Sequence, residues 1–233
     1  MNHLYQYSTM GALVGGMFDG VFSIDDVLKN GNYGIGTLEG LNGELFIKEG
    51  IAYVIESSGT IREVALDERS PFASVTFFES QKTLKITEAL TKEQLDIEML
   101  QAIEGMNSFH AVKVTGTFKT IKARAAKKQE SPYPKLVEAV KAQGYFDFED
   151  TIGTLFGFYT PRFIQGIGVA GYHVHYLSDD LRSGGHVFDF VTDDVTVELA
   201  LMNEVTMMMP DTPRYRHNDL NDPDMLSDIE ASE

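Results

Sequence analysis

Three of the six histidines, His173, His175 and His186, fall within fourteen residues. Side chains alternate in an extended segment, so Tyr172-His173-Val174-His175-Tyr176 sets His173 and His175 on one face, about 6 to 7 Å apart. The stretch from Ser178 to Gly185 reads as a turn that brings His186 back beside them on an adjacent strand. Two imidazoles at i and i+2, with a third from the neighbouring strand, can occupy three corners of a tetrahedron. The fourth corner is left for water or substrate, which is the pattern of a catalytic rather than a structural metal site. Neutral imidazole suits zinc, iron, nickel or copper. Zinc is the expected ion because no redox-cofactor motif accompanies the site, with another divalent metal as the alternative. Half-buried strand histidines without a metal would explain one such residue more readily than three at this spacing.

Other chemistries lack their residues. The chain has no cysteine, which excludes thiolate ligands, disulfides and cysteine nucleophiles. Gly34-Ile35-Gly36 does not complete a dinucleotide-binding register, no Walker lysine follows, and no Gly-x-Ser-x-Gly elbow is present. His110 and His217 are isolated and read as structural or solvated. By pattern alone Glu44, beside a hairpin turn, and Arg124, near Lys122, Lys127 and Lys128, are ordinary surface charges.

Thirty-five acidic residues against 19 basic ones give a net charge of −16. That field repels a phosphate backbone at long range, so no nucleic-acid partner is expected. A small anionic substrate is equally repelled unless its site carries local positive charge, from a metal or a focused arginine. No apolar run approaches the roughly 20 residues that span a bilayer, so no membrane partner is expected. Met1 to Ser8 has no basic region followed by an apolar one, and a cytoplasmic protein is the expectation.

The elements that must position the histidines follow from punctuation and period. Ile35-Gly36-Thr37-Leu38-Glu39-Gly40 returns 117 residues later as Ile152-Gly153-Thr154-Leu155-Phe156-Gly157, and Phe46-Ile47 returns as Phe163-Ile164. This repeat predicts an α+β fold of two similar halves, residues 1–144 and 145–233, built on mixed and antiparallel sheets with flanking helices. The metal site would lie on strands of the β-rich second half. Ser8-Thr9 and Ser23 to Asp26 suit two short helices, and Asn42-Gly43 and Glu49-Gly50 suit consecutive hairpins, with Glu44 starting a strand and facing the same side as Phe46. Thr91 to Gln94 is a capping box that opens a helix running to Gly105. His110–Val114 and Phe118–Arg124 read as a hairpin about Thr115-Gly116, with Arg124 on the face of Phe118. Pro132 and Pro134 precede a helix expected from Lys135 to Gln143, stopped by Gly144. Residues 210–233 are polar and acidic, and composition alone reads them as a mobile tail.

Taken together, these residues resemble the α-acetolactate decarboxylase family. The resemblance rests on Leu4-Tyr5-Gln6-Tyr7-Ser8-Thr9, Phe18-Asp19-Gly20, Gly34-Ile35-Gly36-Thr37 through Gly43-Glu44, Arg124 with Gln129 and Pro132-Tyr133, Gly153-Thr154 with Thr160-Pro161, and Gly171-Tyr172-His173 to Phe190. It implies that His173, His175 and His186 hold zinc, that Glu44 and Arg124 are the active-site carboxylate and guanidinium, and that Thr37 is a supporting hydrogen-bonding residue. The ending Ile229-Glu230-Ala231-Ser232-Glu233 resembles a segment that returns a glutamate to the metal site. Glu233 is the candidate and Glu230 the fallback. A homodimer is also implied. The family usually carries Arg-Ser-Val-Pro where this chain has Arg124-Ala125-Ala126-Lys127, which keeps the arginine and changes the loop after it.

The implied reaction is decarboxylation of 2-acetolactate to acetoin and carbon dioxide, through a zinc-chelated enediolate that is protonated on one face. A Lewis acid on the ketone accepts the electrons released as carbon dioxide leaves. Two other classes use similar residues. A cupin-like oxygenase or isomerase carries a carboxylate shortly after its histidine pair, where this chain has Asp179 and Asp180 in a turn. A non-catalytic metal-binding domain would close the fourth coordination position.

Overall fold

Short apolar runs separated by turn residues fold into paired strands, and longer runs with alternating burial fold into strands that cross the whole molecule. The computed structural model describes residues 2–232. In chain order its elements are β1 (His3–Tyr7), α1 (Met10–Val14), β2 (Phe22–Ser23), α2 (Ile24–Leu28), β3 (Tyr33–Thr37), β4 (Glu44–Lys48), β5 (Ile51–Ile55), β6 (Ile61–Glu63), β7 (Arg69–Ser70), β8 (Phe72–Thr76) and β9 (Lys82–Ile86). There follow α3 (Lys92–Ile103), β10 (Phe109–Ala126), α4 (Leu136–Ala139), β11 (Gln143–Thr160), β12 (Gly171–Ser178), β13 (Gly184–Met202), β14 (Glu204–Met208), α5 (Pro213–His217) and α6 (Met225–Ser232).

The first sheet has the order β14-β1-β8-β3-β4-β5-β6, mixed because β14 runs parallel to β1. The second has the order β10-β11-β12-β13-β9, and β10 also pairs with β13, so its long strands curl back on one another. Phe46, Ile35 and Ile55 of the first sheet meet Phe156, Phe158 and Leu177 of the second in a shared core. The outer face of the first sheet is covered by Ile24 and Val27 of α2, and the outer face of the second by Leu95, Met99 and Ile103 of α3. The result is an α+β sandwich in which the side chains of β12 alternate: Tyr172, Val174 and Tyr176 pack towards α3, while Leu177 joins the core between the sheets.

Several local expectations hold. Glu49 and Gly50, both at positive φ, turn β4 into β5 in the manner of a two-residue hairpin. Thr91 accepts from the Gln94 N–H while the Gln94 side chain accepts from the Thr91 N–H, closing the capping box of α3.

Others are corrected. Thr115-Gly116 is no turn. Gly116, at φ 139°, stays extended inside β10, which is paired to β11 on one side and β13 on the other. A Cβ there would lie 2.2 Å from the Asp194 carbonyl oxygen, so this glycine serves close strand approach. Register shifts around Phe118 and between Lys122 and Ala123 then rotate the strand. As a result Phe118 packs towards α3, whereas Arg124 faces the pocket between the sheets. The helix expected over 135–143 is only α4 and one 3-10 turn, Val140–Ala142, because Gln143 and Gly144 pair with Ala126 and Ala125 as the start of β11.

The sheets also cut across the expected division at 144/145: β9 and β10 belong to the second sheet and β14 to the first. Phe46-Ile47 lie in β4, but Phe163-Ile164 lie in a single 3-10 turn after Pro161, so the two repeated segments fold differently. Residues 210–232 are not a loose tail. They carry α5 and α6, and Ile229 is fully buried.

Candidate metal centre

The three histidines converge. Antiparallel pairing sets His175 of β12 opposite His186 of β13, and His173 lies two residues along the same strand. One ring nitrogen from each lies within 4.8 Å of the others. His173 Nε2 is 3.2 Å from His186 Nδ1. Two donors about 2.0–2.1 Å from one tetrahedral cation sit roughly 3.3 Å apart, so this spacing fits a shared ion.

The first sheet completes the arrangement. The His175 Nδ1–H donates to the Leu45 carbonyl at 2.9 Å, which leaves Nε2 as the lone-pair nitrogen. Among the described residues that buried Nε2 has no hydrogen-bond partner, and Glu44 Oε2 lies 3.4 Å away. Glu44 shares the face of Phe46, as alternation along β4 predicts, and its Oε1 accepts from the Ala126 N–H at 3.1 Å. Thr37, at the end of β3, donates to the Gly43 carbonyl at 2.7 Å and so braces the turn that delivers Glu44. Arg124 lies beside His186, with Nη2 at 3.4 Å from His186 Nε2, and donates to the Ser232 carbonyl of α6 at 2.8 Å.

Burial sets the electrostatics. It holds His173 and His186 well below the usual histidine range and lowers His175 to about 4, with the Arg124 charge acting in the same direction. All three imidazoles are therefore neutral, the form that binds a metal. Burial also pushes Glu44 up to about 7, against the Ala126 N–H and the Arg124 charge, which lower it. Three neutral imidazoles beside a buried carboxyl could hold a divalent metal ion, and the residues present fit one.

These groups line a pocket whose other wall is apolar, from Met10, Leu13, Leu41, Phe72 and Leu136, and Ser232 also lines it. Sequence patterns do not reveal the Leu45 and Ser232 carbonyls or the Ala126 N–H, because backbone groups carry no residue signature. Glu230 is not in the pocket. One residue beyond the buried Ile229, it points outward into a surface groove with Tyr159 and Arg162. Glu233 lies outside the described residues. Asp179 and Asp180 are exposed and engaged by Lys48 and Ser178, so the turn after the histidine pair brings no carboxylate to the site. His110 is buried 2.7 Å from the Tyr172 hydroxyl, and His217 is exposed on α5.

Comparison with known proteins points one way. A family model described as alpha-acetolactate decarboxylase matches residues 4–222. The alpha-acetolactate decarboxylase of Bacillus subtilis (strain 168) is 40% identical over 233 residues, covering 100% of this chain and 91% of that protein. The one from Lactococcus lactis subsp. cremoris (strain MG1363) is 33% identical over 234 residues, covering 100% and 99%. The crystal structure of the Bacillus subtilis strain 168 protein superposes with a TM-score of 0.96, covering 99% of each chain at 40% identity. A Staphylococcus aureus protein of unknown function, described as similar to alpha-acetolactate decarboxylase, also gives 0.96, at 33% identity, covering 99% of each chain. Full-length similarity of this kind, in sequence and in backbone, places the chain in the alpha-acetolactate decarboxylase family.

Proposed function

We propose that the chain decarboxylates 2-acetolactate to acetoin and carbon dioxide, with His173, His175 and His186 holding zinc or another divalent cation. The observation that carries this reading is the convergence of three neutral imidazoles with Glu44 and Arg124 in one pocket. A cation bound there supplies a Lewis acid for the substrate's ketone, the acceptor of the electron pair released when the carboxylate carbon leaves.

The remaining work falls to the chain. Arg124 engages the carboxylate and holds it for departure. Its guanidinium stays protonated at any working pH, which makes it a clamp rather than a proton donor. It also gives an anion a local positive partner inside a strongly acidic molecule. Loss of carbon dioxide breaks the bond from C2 to the carboxyl carbon and leaves an enediolate. One proton then adds to C2, so each turnover consumes a proton. Glu44 handles the hydroxyl proton and the returning one, a role supported by its Oε1 accepting from the Ala126 N–H while Oε2 lies near His175. Thr37 and the Gly43 turn hold that carboxyl in register. The apolar wall leaves water little purchase, which favours conversion of a charged carboxylate to neutral carbon dioxide.

The test is acetoin production from racemic 2-acetolactate, with metal analysis. We expect one divalent ion per chain, loss of turnover with a chelator and recovery on adding zinc. A metal-free protein with full turnover overturns the role of the histidines, and absence of acetoin from the metal-loaded protein overturns the reaction.

A further inference from the structure

Arg124 is oriented from far along the chain. Its Nη2 donates to the carbonyl of Ser232, a residue 108 positions away at the end of α6. The last carbonyls of a helix lack intrahelical donors and carry the negative end of its dipole, so a guanidinium is a suitable partner. The direction of Arg124 therefore depends on where α6 sits.

One side chain governs that position. Ile229 is fully buried in the core formed with Met10, Leu13, Leu136 and Ala139, of which Met10, Leu13 and Leu136 also line the pocket. It lies one turn before Ser232, on the same helix face, and the Ser232 hydroxyl donates back to the Ile229 carbonyl at 3.0 Å. The other ties of α6 are weaker. Lys135, half exposed, reaches Asp228 of the helix and Asp222 just before it, and ion pairs open to solvent on one side hold little. Met225 rests over Gly11 and is only partly buried.

We propose that Ile229 is a positioning residue for Arg124. By fixing the depth of α6 it fixes the Ser232 carbonyl, and through that carbonyl the guanidinium. The inference rests on the decarboxylase reading, and it adds a residue that touches neither substrate nor metal ligands.

The test is a double-mutant cycle with Ile229→Ala and Arg124→Lys, reading kcat and KM for 2-acetolactate, metal content, and hydrogen exchange over 225–232. Alone, Ile229→Ala should lower kcat about tenfold with KM changed less, keep one metal per chain and speed exchange in α6. In the Arg124→Lys background the same change should cost less than about twofold, because its route is already cut. Ile229→Val should restore most of the loss, and if the alanine variant does not fold, Ile229→Thr, which keeps the branched shape but buries a hydroxyl, replaces it in the cycle with the same expected pattern.

Equal losses in both backgrounds, an unchanged kcat, unaltered exchange in α6, or loss of metal each overturn the positioning role. Absence of acetoin from the unaltered protein overturns the underlying reading instead, so the two failures are distinct.

Discussion

Desolvation makes individual residues of this chain behave unlike their type. His110, buried against Tyr159 and Tyr172, has its pKa lowered to about 4 by burial. Folded, it stays neutral down to about pH 4, whereas in the unfolded chain it takes up a proton below about pH 6.5. Its contribution is therefore flat above about pH 6.5. It weakens the fold as pH falls from there towards about 4, by up to ~1.4 kcal/mol per pH unit. His110→Gln, which can still bond the Tyr172 hydroxyl, should flatten that part of a denaturant-derived stability profile. An unchanged acid slope would remove His110 from the account. The same desolvation explains what can be read in the sequence. Three histidines in one short window announce themselves. Glu44 and Arg124 do not, because the surroundings that set them apart from surface charges arise only when the two sheets close over them.

Turns and strands decide how these side chains are delivered. Gly43 sits at φ 77°, where an added Cβ would lie 2.4 Å from the Ile55 carbonyl oxygen, and its own carbonyl accepts from Thr37. Gly43→Ala should displace the Glu44 turn, destabilising the fold by about 1–3 kcal/mol and weakening metal affinity by about 10- to 100-fold. Urea titration and competition with a chelating dye would measure both. Retention of affinity despite the lost stability would separate the turn from the metal. At this scale legibility was uneven. The capping box of α3 and the Glu49-Gly50 hairpin are local, and local residues disclose them. Gly116 misleads because a glycine that permits close strand approach looks like one that permits a turn. Arg124 changes face through register shifts that no alternation rule anticipates. The C-terminal segment is polar in composition, yet Ile229 and the Ser232 carbonyl tie it to the pocket.

For the molecule as a whole, a net charge of −16 surrounds a site whose own charged contribution includes Arg124. Long-range repulsion of an anionic substrate is screened as ionic strength rises from about 0.01 M to about 0.15 M, while the short contact in the pocket is screened much less. We therefore expect kcat/KM to increase over that range with kcat nearly constant. A steady decrease would show that the field guiding the substrate is positive. The repeat at 117 residues suggested two similar halves and did not anticipate the sandwich, because β9, β10 and β14 each pair across the division it implied.

His175 hangs from one sheet while its Nδ1–H is held by the backbone of the other, beside Glu44 on that same opposing layer. The centre is in effect a rivet through two plates. Delamination by an ångström, on mild heating or in dilute denaturant, breaks the rivet while every strand keeps its partners. Inactivation should accordingly run ahead of any change in the far-ultraviolet circular dichroism.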